Sequence, residues 1–342
     1  MAGLGLVGCG STQVGSTAGS TDKTGKTAVK EVKDMDEKEE EEAWKKEPAY
    51  GKTLKVGYNG GLCLGGFGIA KVNGYYKDEG LDCEIVSMKE TTDAIGTGKV
   101  DVAGDHIATL LVPATNGVKL TFTLGCQTGC KSLYVLANGP ISKTSDLVGK
   151  TVAVPEGIGT SDQNIAMRFL NHDDVDVNQV KWKPVTNDAV VQALQNDEVQ
   201  AATLSDQFAR KFLDDGTLKI IRSLTYDKDF QKEPCCIVTF NSDFIKKNPV
   251  TAKKFTRAFK RASDWIEDNT KEAVDIMFDN NWASGDKAIA YDLTDAFNFK
   301  ISEQMTHDAL LDIIKDYKKF GTITSKDSAQ DILDRVWAPV LG

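Results

Sequence analysis

Histidine is scarce in this 342-residue chain. The three present, His106, His172 and His307, never stand at the HExxH spacing of a zinc hydrolase helix. No G-x-S-x-G elbow occurs, so the exposed-serine chemistry of an α/β-hydrolase has no seat. Gly65-Gly66-Phe67-Gly68 and Gly157-Ile158-Gly159 lack the spacing of a dinucleotide fingerprint, and Ser20 to Thr27 ends like a phosphate loop but has Ser where the first Gly belongs. These absences leave no recognisable catalytic set, and the expectation is a chain that is not an enzyme, with no cofactor and no metal. No stretch reaches the roughly 18 apolar residues that cross a membrane. A basic excess is missing as well: 41 Lys+Arg face 50 Asp+Glu, a net charge of −9, which argues against a nucleic-acid partner.

What is present is unevenly spread. A hydrophobic fraction of 41% with 27% charge suits a folded body of two ordinary domains. Residues 10–50, however, hold almost nothing for a core. From Asp22 to Tyr50 ten acids meet seven bases and a single Trp, which predicts a solvated, disordered tether and a body beginning near Lys52. Ahead of it, Leu6-Val7-Gly8-Cys9-Gly10-Ser11 resembles a bacterial lipobox. Residues 1–9 then read as a truncated lipoprotein signal, Cys9 as the acylated anchor, and 10–50 as its leash.

From Lys52 onward short apolar strands alternate with helices. Leu54–Tyr58, Cys83–Met88 and Val100–Ala103 read as strands, with helices over 66–76, 92–97 and 106–114. The pattern restarts at Thr151–Val154, with strands over 180–185 and 199–204 and helices over 161–170, 188–195 and 206–213. Such alternation predicts an α/β fold of two lobes, each a mostly parallel sheet flanked by helices. Beyond Phe240 the chain turns helical. Apolar stripes at Ala252, Phe255, Phe259, Ser263 and Ile266, and at Leu310, Leu311, Ile314 and Tyr317, predict helices that return to clad the first lobe.

Three phrases carry a resemblance: Gly74-Tyr75-Tyr76-Lys77-Asp78-Glu79-Gly80-Leu81, Gly98-Lys99-Val100-Asp101-Val102-Ala103, and Pro140 through Asp146-Leu147-Val148-Gly149-Lys150-Thr151-Val152-Ala153-Val154. In order along residues 54 to about 205, they are similar to motifs of ABC-importer substrate-binding proteins of the nitrate/sulfonate/taurine and thiamine-pyrimidine (NMT1/THI5-like) group. The resemblance implies a periplasmic-binding fold of type II. Its first lobe, 51–138, is interrupted by a second, 139–236, and completed by 237–342, with crossings near Leu133–Gly139 and Cys235–Phe240. It also implies a small-molecule ligand, a membrane permease as partner, a monomer, and an extracytoplasmic place on a Gram-positive bacterium, held to the bilayer by acylated Cys9. Gln200-Ala201 and Asp206-Gln207 depart from the group's usual Asp-Ala and Glu-Pro, which leaves the ligand open.

Ligands of open α/β sheets bind beyond the carboxyl ends of strands. That selects Asn59-Gly60-Gly61-Leu62-Cys63, Asp105-His106 and Cys126-Gln127-Thr128 in the first lobe, and Gly157-Ile158-Gly159-Thr160-Ser161 and Ser205-Asp206-Gln207 in the second. A helix starting at Thr160 or Ser161 would turn its partly positive end toward a small oxyanion, whereas Asp105 in the cleft favours an amine or ring nitrogen. Cys63, Cys126, Cys130, Cys235 and Cys236 fall at the same strand ends and crossings. They read as disulfides or buried thiols, against a soft-metal site with His106 or direct thiol contact with the ligand. The functional expectation is capture of a sulfonate-like or aminopyrimidine-like solute for an ABC importer. The alternatives are a THI5-like enzyme of pyrimidine synthesis and a metal-binding or redox-sensing lipoprotein on the same fold.

Overall fold

The computed structural model describes residues 32–342; the lipobox with Cys9 and the tether up to residue 31 lie outside them. Within the stretch expected to stay extended to residue 50, Glu37–Trp44 instead forms a helix. Asp36 caps it, accepting from Glu39 N at 2.9 Å while the Glu39 carboxylate takes Asp36 N at 3.1 Å. Glu40 is buried against Arg257 at 2.6 Å and Lys253 at 3.0 Å, and Trp44 Nε1 donates to Thr251 Oγ1 at 3.1 Å. Within the acid run Glu40 is therefore a docking residue whose cations lie far along the chain, Arg257 being 217 residues away. Local composition could not show that pairing.

Among the described residues, ten strands form two five-stranded sheets. The first contains β1 (Thr53–Gly57), β2 (Asp82–Val86), β3 (Val102–His106), β4 (Leu120–Gly125) and β10 (Cys236–Asn241), in the order β2-β1-β3-β10-β4. The second contains β5 (Lys131–Leu136), β6 (Thr151–Ala153), β7 (Lys181–Lys183), β8 (Ala201–Ser205) and β9 (Leu218–Ser223), in the order β7-β6-β8-β5-β9. Four strands of each sheet run in one direction, three of them paired with one another in parallel. Against them, β10 runs antiparallel to β3 and β4, and β5 antiparallel to β8 and β9. Each sheet is thus mixed, because each takes in the strand that arrives from the other lobe. The expected two-lobed α/β fold stands.

The crossings sit earlier than expected. Leu133 to Leu136 already pair in the second sheet, so the outward crossing is Cys126–Cys130, between β4 and β5. The return occupies residues 224–235, and Cys236 to Phe240 already belong to the first sheet. The two crossing segments are tied to each other: Thr128 bridges Pro234, Cys235 N donates to Gln127 O at 2.8 Å, and Cys126 N to Cys236 O at 2.8 Å.

The C-terminal helices clad the first lobe. In the helix Pro249–Asp268 the stripe Ala252, Phe255, Phe259, Ser263 and Ile266 is buried, with Phe259 and Phe67 ring centroids 4.7 Å apart. That helix lies close on Gly65–Val72, where a Cβ at Gly66 would come within 2.7 Å of the Phe259 ring and one at Gly68 within 2.3 Å of Trp282. Of the glycines that mimicked a nucleotide loop, Gly66 is there for this helix, while Gly65 and Gly68 make room for Met277 and Trp282. In the helix Glu303–Lys319, Leu310, Ile314 and Tyr317 are buried, and Trp337 pairs with Phe122 of β4. The lobes touch: Asn164 Nδ2 donates to Ala108 O at 2.8 Å, Gln207 Nε2 to Ser284 O at 3.2 Å, and Arg168 Nε to Asp316 at 2.9 Å.

Candidate functional site

At the junction of the lobes the sequence of strand ends converges on sulfur. β3 ends at His106, the outward crossing ends at Cys130, and the return crossing ends at Cys235 with Cys236 opening β10. The Cys130 sulfur lies 3.3 Å from His106 Nε2 and 3.1 Å from the Cys235 sulfur. Asp105 Oδ1 stands 3.1 Å from His106 Nδ1 and also accepts the His106 backbone N–H at 2.7 Å, which turns Nε2 toward the thiols. One donor atom from each of His106, Cys130, Cys235 and Cys236 lies within 4.8 Å of the others, a set that a soft ion could take up. All six cysteines from Cys63 to Cys236 are free thiols.

The electrostatics single out Cys130. Hydrogen bonds from the Cys235, Cys236 and Cys63 thiols, with the His106 charge behind them, hold its thiol well below the ordinary cysteine range. The neighbours titrate late because they donate to it, and Cys63, Cys235 and Cys236 are all pushed well up. Burial would lower His106, but the Cys130 thiolate and Asp105 outweigh it and push it up to about 10. One thiolate paired with one imidazolium is the state this geometry favours.

Beside this cluster lies a second polar group. Lys131 opens β5 as a buried cation, with Nζ 2.5 Å from both Glu156 and Asp162. Burial opposes its charge, yet the Asp162 and Glu156 carboxylates raise its pKa. Ser161 donates to Glu156 Oε2 at 2.5 Å, and Glu156 N donates to Asp162 at 2.7 Å. Two of the protein's own carboxylates, Asp162 in the first turn and Glu156 on the Ser161 hydroxyl, thus stand at the N-terminus of the helix Ser161–His172, where the sequence suggested an external oxyanion.

The remaining expected residues fall into distinct places. Asn59 accepts Met88 N at 2.8 Å and donates to Met88 O at 2.6 Å, which ties the loop after β1 to the end of β2. Gly60 and Gly61 run under Trp282, whose carbonyl accepts Gly61 N at 2.7 Å, and Leu62 is buried. Cys63 joins the thiols, while Cys126 is buried outside the four-donor set, its thiol raised by burial. Gln127 is buried, with Nε2 3.7 Å from the Cys236 sulfur and Oε1 lacking a partner among the described residues. Thr128 pairs with Asn298 through N–H···O at 3.0 Å. Gly157, Gly159 and Thr160 form a partly exposed loop closed on itself by Thr160 Oγ1 to Gly157 O at 2.8 Å. Ser205 is exposed opposite Lys131, and Gln207 reaches across to Ser284. Asp206 is buried inside the second lobe, accepting from Tyr134 and Thr225 hydroxyls at 2.6 and 2.5 Å.

Sequence reasoning overlooked Lys131, Glu156 and Asp162, and the interlobe network of Arg168 with Glu233, His172 and Asp316. Lys131 did leave a signal, as a lone charge at the head of the otherwise uncharged strand Ser132–Leu136.

Two mixed α/β sheets joined by two crossings, with polar and thiol groups gathered where the lobes meet, define the class as a two-lobed periplasmic-binding fold. The sequence matches the family described as NMT1/THI5 like over residues 64–273, and the chain belongs to that family. It is 25% identical over 227 residues to the 4-amino-5-hydroxymethyl-2-methylpyrimidine phosphate synthase of Candida albicans (strain WO-1), covering 60% of this chain and 64% of that one. The chain thus spans less than two thirds of the length of the curated relatives it matches first. Among solved structures, the aliphatic sulphonate-binding protein SsuA of Escherichia coli aligns with a TM-score of 0.67 at 16% identity, over 84% of this chain and 92% of that one. The nitrate-binding protein NrtA of Synechocystis PCC 6803 aligns at 0.64 and 15%, over 83% and 86%. The sequence relatives correct one expectation: the reading of the chain as no enzyme does not stand, because the curated proteins it resembles carry the name of a synthase.

Proposed function

We propose that this protein is the solute-capturing component of an ABC importer and that its solute is a small organic cation or aminopyrimidine-like ring. The carrying observation is the charge arrangement at the junction: Asp105, Glu156 and Asp162 converge there with Lys131 and His106, and Glu156 keeps a 43% exposed side chain. Carboxylates standing beside the helix N-terminus disfavour a simple oxyanion, and the exposed Glu156 carboxylate, shared with Lys131 and Ser161, suits an amine or protonated ring nitrogen. Closing the lobes on such a solute shifts the population toward the arrangement that a membrane permease reads. In the same reading the protein works outside the cytoplasm of a bacterium as a monomer, with Cys9 acylated and residues 10–31 as part of the leash.

Native mass spectrometry of the purified protein, followed by thermal shift against aminopyrimidines, alkanesulfonates, nitrate and small amino acids, tests it. A stoichiometric adduct and a raised melting temperature with an aminopyrimidine or amine are expected. Stabilisation by sulfonates alone would refute the solute class, and release of a chemically altered compound would make the protein a synthase like its sequence relatives. Cys9→Ala in the full-length precursor is expected to release the protein from membranes; unchanged attachment refutes the anchor.

A further inference from the structure

Cys130 occupies a backbone conformation that its side chain makes costly. Its φ is +109°, directly after Gly129 at +89°, in the region where glycine sits without strain and a residue with a Cβ is strained. The conformation is pinned from both sides: Cys130 N donates to Thr225 Oγ1 at 2.9 Å, and its carbonyl accepts Asp206 N at 2.9 Å. A glycine would meet the backbone's needs, so the thiol is the reason for a cysteine here. That thiol lies 3.1 Å from the Cys235 sulfur. The two residues belong to opposite sides of the junction, since Cys130 leads directly into β5 of the second sheet and Cys235 into β10 of the first. A bond between them would close about 1 Å of separation.

We propose that Cys130 and Cys235 are a redox pair whose disulfide staples the two lobe crossings together, with a low-molecular-weight disulfide as oxidant. The Cys130 proton rests on His106 Nε2, 3.3 Å from the sulfur, with Asp105 at the far ring nitrogen, and it passes to the first small thiolate as that leaves. The Cys130 thiolate attacks one sulfur of the oxidant, forming a mixed disulfide and expelling one thiolate, which is then protonated. The Cys235 thiol then attacks the Cys130 sulfur, its proton passing through the now neutral His106 to the second small thiolate as that leaves, and the Cys130–Cys235 bond forms. Two cysteines lose two electrons, the oxidant gains them, and two small thiols leave. Both cysteines are covered when the lobes touch, at 8% and 7% exposure, so the oxidant enters when they part. The bond then holds the sheets at one spacing.

The full-length protein, reduced and stripped of metal, is incubated with oxidised glutathione and followed by intact mass, non-reducing peptide mapping and thermal melting. The expected result is loss of two hydrogens with no glutathione retained, a tandem spectrum linking 130 to 235, and a melting temperature raised by roughly 10 °C over the reduced protein. Cys130→Gly relieves the backbone strain, so it is expected to fold with an unchanged or higher melting temperature and to form no link. Cys235→Ser is expected to stop at glutathione held on Cys130. A link between any other pair, a Cys235→Ser protein that takes up no glutathione, or thiols that stay unreactive in the metal-free protein would each overturn the proposal. None of these readouts depends on the identity of the transported solute.

Discussion

Arg168, on a helix of the second lobe, donates through Nε to Asp316 of the C-terminal helix at 2.9 Å and through its terminal nitrogens to Glu233. Arg168 is 4% exposed, and its guanidinium joins both lobes to the return crossing. Replacing it by Met leaves two carboxylates in a covered junction without their cation. A destabilisation of about 3–5 kcal/mol is expected in urea unfolding, and Arg168→Lys recovers only part of it because a point charge cannot serve two carboxylates at once. Wild-type stability in the Lys variant would show that the fork geometry is unimportant.

The His106–Cys130 pair gives stability a specific pH profile. His106 is raised to about 10, so its contribution is complete below the unfolded value of about 6.5 and is lost as pH rises toward 10. Cys130 is depressed, so its contribution is complete above the unfolded value of about 8.5 and is lost as pH falls. Between about 6.5 and 8.5 the two slopes cancel, since folded and unfolded chains then carry one proton on this pair. Urea unfolding from pH 5 to 10 in the presence of a reductant is expected to show a plateau over that window with falls on both sides. In Cys130→Ser both falls shrink; an unchanged profile there would assign the pH dependence to other groups.

The two-lobed fold was legible because its signals are local. Alternating strands and helices, the Asp146–Val154 phrase and the stripe from Ala252 to Ile266 each occupy one short stretch, and each maps onto an element or a buried face. The gathering of cysteines at strand ends was legible for the same reason. What escaped was pairing between distant residues. Glu40 looked solvated because Arg257 lies 217 residues away, and the corner after β6 looked open to an anion because Lys131, Glu156 and Asp162 satisfy one another only once β5 has crossed. The placement of the crossings escaped too, since an apolar strand such as β5 carries no mark of which sheet it will join.

Close helix approach at Gly66 can be tested directly. A Cβ there would sit 2.7 Å from the Phe259 ring and 3.0 Å from Ser263 Oγ, in a core where Phe255, Phe259 and Phe67 are all buried. Gly66→Ala is expected to cost about 1–3 kcal/mol through overpacking, despite the better helix propensity of alanine. The double variant Gly66→Ala with Phe259→Leu is expected to recover part of that loss in thermal melts. Equal stability of wild type and Gly66→Ala would mean the two helices can separate freely.

Lys131 is a buried charge balanced by two carboxylates, and its removal has a pH signature that distinguishes charge from packing. Asp162 already titrates above its ordinary range, because burial outweighs the attraction of Lys131, and it shares that cation with Glu156. In Lys131→Met the hydrocarbon volume is kept but both carboxylates lose their cation, so both pKa values rise. A raised carboxyl favours the folded chain only while protonated, and stability is then lost as pH climbs through the unfolded range of about 4 and beyond. The variant is therefore expected to lose about 3–5 kcal/mol at pH 7 and clearly less at pH 4.5. Urea unfolding at both pH values reads this, and adding Asp162→Asn to Lys131→Met is expected to restore most of the neutral-pH loss. A deficit independent of pH would mean the lysine stem, and not its charge, supports the start of β5.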